Sequence, residues 1–140
     1  MDARKQLSRL RYLKMAIEQT EDQIELLRET MTHVAAIRYD KDAVQQSPAD
    51  TLAEYVVRLE ALETRAVKLC AEYSELWDIT MKRIGGLENE LQRNVLLLRY
   101  VAWLPFHEIA KRLGYSDRHM YNTHAAALKA YDRNYPECKE

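Results

Sequence analysis

Residues 104–131 read LPFHEIAKRLGYSDRHMYNTHAAALKAY, which is the pattern of two helices joined by a turn. Pro105 suits the first position of a helix. Apolar residues then recur at the three-to-four spacing of one helix face, at Phe106, Ile109, Ala110 and Leu113. Gly114 predicts the end of this helix, because glycine adopts the left-handed conformation of a helix C-terminus without a Cβ penalty. Ser116 is a favourable N-cap, so a second helix is predicted to start at Asp117.

The second predicted helix has two distinct faces. Its inward face carries Met120, Thr123, Ala127, Leu128 and Tyr131. Its outward face carries Asp117, Arg118, His119, Tyr121 and Asn122. This is the layout of a helix-turn-helix, whose second helix presents its first turns to a DNA major groove.

Two outward residues are candidates for reading bases. Arg118 and Asn122 lie four positions apart, one turn into the second helix. Arginine can bond guanine O6 and N7 with two hydrogen bonds, and asparagine can bond adenine in the same way. The alternative is that Arg118 only reaches a phosphate or pairs with a neighbouring acid.

Further candidate contacts flank this pair. Side chains that could reach the DNA backbone or a thymine methyl group are Ser116, His119 and Tyr121. Phosphate contacts are predicted at Lys111, Arg112 and Lys129. Each of these side chains could instead be solvated surface, and His124 is explained as well by partial burial as by contact with DNA.

Heptad repeats typical of a coiled coil occupy two earlier stretches. The first seam consists of Leu10, Leu13, Ile17, Thr20, Ile24, Leu27, Met31 and Val34. The second consists of Leu52, Tyr55, Leu59, Leu62, Ala66, Leu69, Tyr73, Leu76 and Thr80. A break is predicted from about Ala35 to Asp50, with Ser47 as N-cap and Pro48 in the first turn of the next helix. The two helices are expected to form an antiparallel hairpin.

The hairpin is also expected to make a homodimer. An isolated hairpin buries side chains only along the one seam between its two helices, and small elongated units often bury more surface by self-association. Apolar residues beside the seams point to a buried stripe wider than two helices need; they are Leu26, Val56, Cys70 and Trp77.

Adjacent glycines at Gly85 and Gly86 separate the hairpin from the rest of the chain. After them, a third helix is predicted from about Glu88 to Ala102, with an apolar stripe at Leu87, Leu91, Val95, Leu98 and Val101. We therefore expect an all-α protein with two parts. Residues 1–84 form an antiparallel coiled-coil hairpin for oligomerisation or partner binding, and residues 85–140 form a trihelical helix-turn-helix domain.

The composition is typical of a protein with long helices, and its near-neutral charge restricts how the protein could bind DNA. The 140 residues include only 3 Gly and 3 Pro. Residues 1–83 carry 13 basic and 15 acidic residues, a balance of −2, and residues 84–140 carry 8 and 7, a balance of +1. This is not the strongly basic balance of a protein that grips nucleic acid non-specifically. DNA binding is therefore expected to use a small local face, helped by a partner or by dimerisation.

Several other classes of protein are disfavoured by the sequence. Cys70 and Cys138 lie far apart without a CxxC or a His pair, so neither a disulfide framework nor a zinc site is indicated. No apolar run approaches the roughly 18 residues of a membrane span, and we expect a cytoplasmic protein. No nucleophile with a base, phosphate-cradling glycine loop or metal cluster is recognisable, so we expect neither an enzyme nor a cofactor.

Residues Glu90–Leu128 resemble region four of the bacterial primary sigma factors. That region has an arginine-containing helix ending in VLxLRY, then an EIAxxLGxS helix and turn, then a recognition helix ending in AL. The matching residues are Val95, Leu96, Leu98, Arg99, Tyr100, Glu108, Ile109, Ala110, Leu113, Gly114, Ser116, Ala127 and Leu128. Departures occur at Trp103, where the family usually has Gly, at Pro105, where it usually has Ser or Thr, and at Asp117, often basic in sigma factors.

With a coiled-coil hairpin in front, the whole chain resembles the small sigma-like transcription regulators of phages and prophages. The resemblance implies recognition of double-stranded promoter DNA and contact with bacterial RNA polymerase. No segment corresponds to the part of a sigma factor that binds the −10 element, so a complete sigma factor is not expected.

Two other functions remain open. A small terminase subunit also joins a helix-turn-helix to long helices and binds viral packaging-site DNA, although its DNA-binding domain is expected to come first. A protein-interaction module that never binds DNA would fit the near-neutral charge.

Overall fold

A computed structural model describes the main chain of residues 2–40 and 48–139, and the side chains of residues 2–36 and 51–137. The described residues form helices and no strand, which confirms the all-α prediction. None of the described helices is both long enough and apolar enough to cross a membrane.

Two helices of 38 residues each, α1 (Ala3–Asp40) and α2 (Pro48–Gly85), make up most of the chain. The predicted break at Ala35 is wrong for residues 35–40, which remain helical, because backbone hydrogen bonds can continue a helix beyond its apolar seam. The helix start predicted at Pro48 is confirmed. The predicted N-cap Ser47 and the adjoining turn residues lie outside the described residues.

By its contacts the chain divides into two compact units. We call Met15–Glu72 the middle unit, and we call the described residues of Met1–Lys14 and Tyr73–Glu140 together the terminal unit. This division differs from the predicted boundary between residues 84 and 85. The N-terminal residues belong with the C-terminal half of the chain because their apolar side chains are buried there.

In the middle unit, the heptad residues are at least half covered. Thr20 of the first seam is buried, and so is Ala16, which lies outside the seam. The half-buried seam residues are Ile17, Ile24, Leu27, Met31, Val34, Leu52, Tyr55, Leu59, Leu62, Ala66 and Leu69. An ion pair of 2.9 Å joins Arg28 of α1 to Glu63 of α2. The seven-residue spacing therefore identified which face of each helix is covered.

The terminal unit has a core that begins with the first turns of α1. Its buried cluster comprises Ala3, Leu7, Ile84, Leu87, Leu96, Tyr100, Ala127, Ala130 and Tyr131. Two hydrogen bonds link the ends of the chain. The Ala3 N–H donates to Asp132 Oδ1 at 2.9 Å, and the Tyr131 hydroxyl donates to Gln6 Oε1 at 2.7 Å. Asp132 thus satisfies an N–H group at the start of α1 that has no partner within that helix.

The third helix differs from its predicted form in one turn. It begins with α3 (Glu90–Leu96), capped by Asn89, whose side chain accepts the N–H of Gln92 at 3.1 Å. It then widens into a π turn at Leu97–Val101. There the Ala102 N–H donates to the Leu97 carbonyl, five residues back, at 3.0 Å. Such turns often occur at functional sites.

Candidate nucleic-acid interface

The next two helices, α4 (Phe106–Leu113) and α5 (Asp117–Asn134), are separated by the predicted turn. Gly114 has φ 76°, in the left-handed region, as predicted for the end of α4. The Ser116 hydroxyl accepts the N–H of His119 at 3.2 Å, which confirms the predicted N-cap. Pro105 precedes α4 by one position and does not begin it.

A second buried cluster holds α4 and α5 against α3. Its members are Val95, Ile109, Ala110 and Met120. Leu91, Leu98, Leu104, Phe106 and Leu113 are partly buried beside it. The three-to-four spacing of the α4 sequence therefore predicted the covered face of that helix correctly.

The two predicted faces of α5 are confirmed. Met120, Ala127 and Tyr131 are fully buried, Thr123 is buried and Leu128 is half-buried. The outward residues Asp117, Arg118, His119, Tyr121 and Asn122 are all exposed. The first two turns of α5 therefore present polar and aromatic side chains to solvent, while the opposite face fills the core.

Arg118, Asn122 and Lys129 follow one another along the exposed face of α5, since their spacings of four and seven residues return to nearly the same helix direction. Ala125 and Ala126 are exposed beside this row. Their small side chains leave the helix backbone open to close approach by a flat or grooved partner. The structure thus brings the two predicted base-reading residues and one predicted phosphate contact together.

On α4, the other predicted phosphate contacts, Lys111 and Arg112, are exposed in the last turn. They lie just before the Gly114 turn that leads into α5. Among the described residues, neither forms an ion pair with a carboxylate.

Two of the outward side chains of α5 contact neighbouring aromatic rings. The Tyr121 ring lies 4.4 Å from the Phe106 ring, measured between centroids. The His119 ring lies 4.9 Å from the Tyr115 ring. Tyr115 and Tyr121 nevertheless remain 47% and 57% exposed, so each offers a large ring surface to a partner.

An acidic group stands at the start of α5. Asp117 Oδ2 lies 3.6 Å from His107 Nδ1, and both side chains are exposed. A carboxylate is favourable in the first turn of a helix because of the helix dipole. The same negative charge would repel a nearby phosphate, which restricts how a DNA backbone could approach this turn.

His124 is a buried residue of the core, which decides between the two alternatives that the sequence left open. It is 5% exposed, and its Nε2 lies 2.7 Å from the Tyr100 hydroxyl. Burial, together with the positive fields of Arg4 and Arg99, lowers the pKa of His124 to about 4. Burial raises the pKa of Tyr100, against the opposing influence of Arg4 and Arg99. Both groups are therefore neutral at pH 7.

Residues 2–14 contribute to the core of the terminal unit, which the heptad pattern did not predict. Ala3, Gln6, Leu7 and Leu10 are spaced like one helix face and are all buried in the terminal unit. This spacing could have been found by extending the helical pattern to the N-terminal side of Leu10. Its partners could not have been found, because they lie more than seventy positions away, as with Ile84 and Tyr131.

Comparisons of the chain with protein families, with curated proteins and with solved structures gave no match.

Proposed function

We propose that the protein is a DNA-binding transcription regulator of the phage or prophage type, in which α4 and α5 form a helix-turn-helix that recognises promoter DNA. The observation that carries this proposal is the exposed row of Arg118, Asn122 and Lys129 on a helix whose opposite face is buried. Arginine and asparagine on the first two turns can reach base edges, and a lysine farther along the helix can reach a phosphate.

The backbone at Trp103 supports the resemblance to sigma region four. Its φ of 62° lies in the left-handed region, and no other described residue except glycine has a positive φ. Glycine adopts this conformation without a steric penalty. The family usually has glycine at the corresponding position, so the unusual conformation agrees with the same backbone path between the support helix and the helix-turn-helix.

The middle unit supports a further part of the proposal, a homodimer formed through an antiparallel hairpin. Most seam residues of the middle unit are only half-buried, so one chain by itself does not cover them completely. Leu26, Val56 and Val67 are 65%, 42% and 72% exposed. A second copy would cover this apolar surface and would bring two recognition helices into one assembly, as in other helix-turn-helix dimers. Light scattering across a concentration series tests this, and a monomer at high micromolar concentration would contradict it.

DNA recognition can be tested by selecting sequences from a random duplex library and then measuring binding over a range of salt concentrations. We expect one enriched sequence and an affinity that falls as salt rises. Arg118→Ala and Asn122→Ala should each weaken binding to the selected site by about tenfold, as expected for the loss of one specific base contact. Lys129→Ala should weaken all sequences alike and reduce the salt slope by about one.

A matched control is available in the middle unit. Arg65 and Gln23 are exposed, so Arg65→Ala with Gln23→Ala removes the same kinds of group away from α5. This control should bind the selected site as the unchanged protein does. If the Arg118 and Asn122 variants also bind it unchanged, these residues do not read DNA. If no sequence is enriched and nothing binds at low salt, the protein does not act on DNA.

A protein-interaction module is the second candidate, favoured by Asp117 and the exposed rings at the start of α5. Exposed tyrosines are typical of protein interfaces. Bacterial RNA polymerase is the partner to test, by measuring binding of purified polymerase in the absence of DNA. Polymerase binding that is lost with Tyr121→Ala, together with no DNA binding, would replace the first candidate by this one.

A further inference from the structure

A cavity lined by arginines and aromatic rings lies in the terminal unit, and none of Arg118, Asn122 and Lys129 lines it. It has a volume of about 460 Å³ and is lined by Arg4, Ser8, Arg11, Arg99, Tyr100, Trp103, Phe106 and His124. This volume lies within the range of roughly 300–1,000 Å³ that is typical of small-molecule sites.

One wall of the cavity is a continuous series of rings. The Trp103 and Tyr100 rings meet edge to face with centroids 6.3 Å apart. Tyr100 stacks on His124 at 5.6 Å, and His124 meets Phe106 at 4.9 Å. The wall is rigid because Tyr100 and His124 are buried and joined by their hydrogen bond.

Three guanidinium groups lie along this wall. The Arg11 group lies 5.1 Å from the Trp103 ring centre, at one end. The Arg99 group lies 4.4 Å from the Phe106 ring centre, at the other end. Arg4 lines the same cavity, and its positive charge lowers the pKa of Tyr100 against the larger effect of burial. The aromatic faces of Trp103 and Phe106 orient the guanidinium groups of Arg11 and Arg99.

The positive charge of the cavity is only partly offset by an acid, since the negative charge of Asp2 acts on Tyr100 against Arg4 and Arg99. Among residues 2–36 and 51–137, no carboxylate forms an ion pair with Arg4, Arg11 or Arg99. The neutral His124 adds no negative charge. Three cations around one cavity repel one another, and a bound anion would remove that repulsion.

We propose that this cavity binds a small phosphorylated ligand through Arg4, Arg11 and Arg99. The planar fork of arginine matches the oxygens of a phosphoryl group with paired hydrogen bonds, and three such forks suit a phosphate monoester better than a single carboxylate. The rigid ring wall limits the depth of the cavity and favours a small ligand over a long chain. This site is separate from the DNA contacts and does not depend on them.

Ligand binding to the cavity can be measured by the fluorescence of Trp103. The chain has two tryptophans, and Trp77→Phe leaves Trp103 as the only one. In this background we expect inorganic phosphate and AMP to change the fluorescence of Trp103 saturably and to compete with each other. A second, independent readout is the NMR titration of His124, whose pKa should rise when the bound anion offsets the fields of Arg4 and Arg99.

The variants isolate the role of the guanidinium groups. Arg4→Gln with Arg11→Gln should weaken phosphate and AMP binding by at least about tenfold, the effect expected from losing charged hydrogen bonds. Lys5→Gln with Lys14→Gln removes the same charge from exposed positions of the same helix. This control should change the affinity by less than about twofold, because exposed charges at a distance interact weakly. Far-UV circular dichroism checks that both variants keep their helices.

Three results would overturn the proposal. One is the absence of any saturable change at Trp103 together with an unchanged His124 titration at millimolar phosphate and AMP. Another is equal weakening by the lysine control, which would indicate general charge attraction. The third is a response to duplex DNA alone, which would make the cavity part of a nucleic-acid interface.

Discussion

Thr80 and Thr20 both lie in a heptad seam but differ in how their buried hydroxyl groups are satisfied. The Thr20 hydroxyl donates to the Ala16 carbonyl of its own helix at 2.7 Å. The Thr80 hydroxyl is fully buried, and it has no hydrogen-bond partner in the described part of the chain. A buried polar group without a partner keeps its full desolvation cost.

Thr80→Val should therefore stabilise the protein. Valine has nearly the same shape and the same β-branch, so the change removes the unpaired hydroxyl without a new cavity, and we expect the free energy of unfolding to rise by about 1 kcal/mol. Thr20→Val is the matched control and should change it by less than about 0.5 kcal/mol. Urea denaturation measures both. Equal effects of the two substitutions would show that the Thr80 hydroxyl is satisfied in solution.

His124 should make stability depend on pH. Its pKa is about 4 in the folded protein, lowered by burial and by Arg4 and Arg99, and about 6.5 in the unfolded chain. Between these values the unfolded chain binds the extra proton, so the free energy of unfolding should be highest above pH 6.5 and fall as the pH is lowered toward 4. We expect a loss of roughly 2 kcal/mol.

Urea denaturation of His124→Gln at a series of pH values tests this expectation. Glutamine can still accept a hydrogen bond from Tyr100 but does not titrate, so this part of the pH dependence should disappear. His33 is exposed in the middle unit, and His33→Gln should retain the dependence. The same pH profile for His124→Gln and the unchanged protein would show that another group is responsible.

The end of α2 packs closely against the C-terminal segment. A Cβ at Gly86 would overlap the Tyr135 hydroxyl, whereas a Cβ at Gly85 would meet nothing within 4 Å. The Tyr135 hydroxyl donates to the Arg83 carbonyl at 2.8 Å. Neither glycine has a positive φ. Gly86 is therefore required by the close approach of Tyr135 and not by an unusual backbone conformation.

Gly86→Ala should destabilise the protein by about 1–2 kcal/mol, because the Tyr135 hydroxyl must move and lose its hydrogen bond. Gly85→Ala should be neutral or stabilise by up to about 1 kcal/mol, since alanine reduces the freedom of the unfolded chain. Thermal unfolding compares the two. Adding Tyr135→Phe to Gly86→Ala should cost less than the sum of the single changes, and strict additivity would exclude a clash between these residues.

The elements also show where the sequence was sufficient. The end of α4 and the start of α5 follow from Gly114 and Ser116, whose effects are local to the chain. The π turn after Leu96 was not predicted, because an apolar stripe at helical spacing does not distinguish an α turn from a π turn. Which exposed residues of α5 contact DNA also remains a prediction.

The N-terminal residues contribute to the core of the terminal unit, together with residues from the other end of the chain. Leu7 is fully buried in the same cluster as Ile84 and Tyr131, whereas Leu26 of the middle unit is 65% exposed. Both lie on α1. The contribution of α1 to stability should therefore differ greatly between its first turns and its middle.

Leu7→Ala should lower the free energy of unfolding by about 3 kcal/mol, through lost burial and the cavity that remains. Leu26→Ala, on a face that is exposed within one chain, should alter it by less than about 0.5 kcal/mol at concentrations low enough to keep the protein monomeric. Urea unfolding followed by Trp103 fluorescence reports on the terminal unit. If the Leu7 variant unfolds like the unchanged protein, the first turns of α1 are not part of this core in solution.

Local sequence patterns predicted most of the helices, their covered faces and the turn before α5, since periodicity, glycine and capping residues act within a few positions of the chain. Tertiary structure decided which distant segments share a core. The hydrogen bond from Ala3 to Asp132 spans 129 positions. The neutral state of His124, the left-handed conformation of Trp103 and the arginine-lined cavity likewise depend on residues from α1 through α5. The burial of these groups and the charges around them depend on contacts with residues far away in the sequence, which a local pattern does not predict.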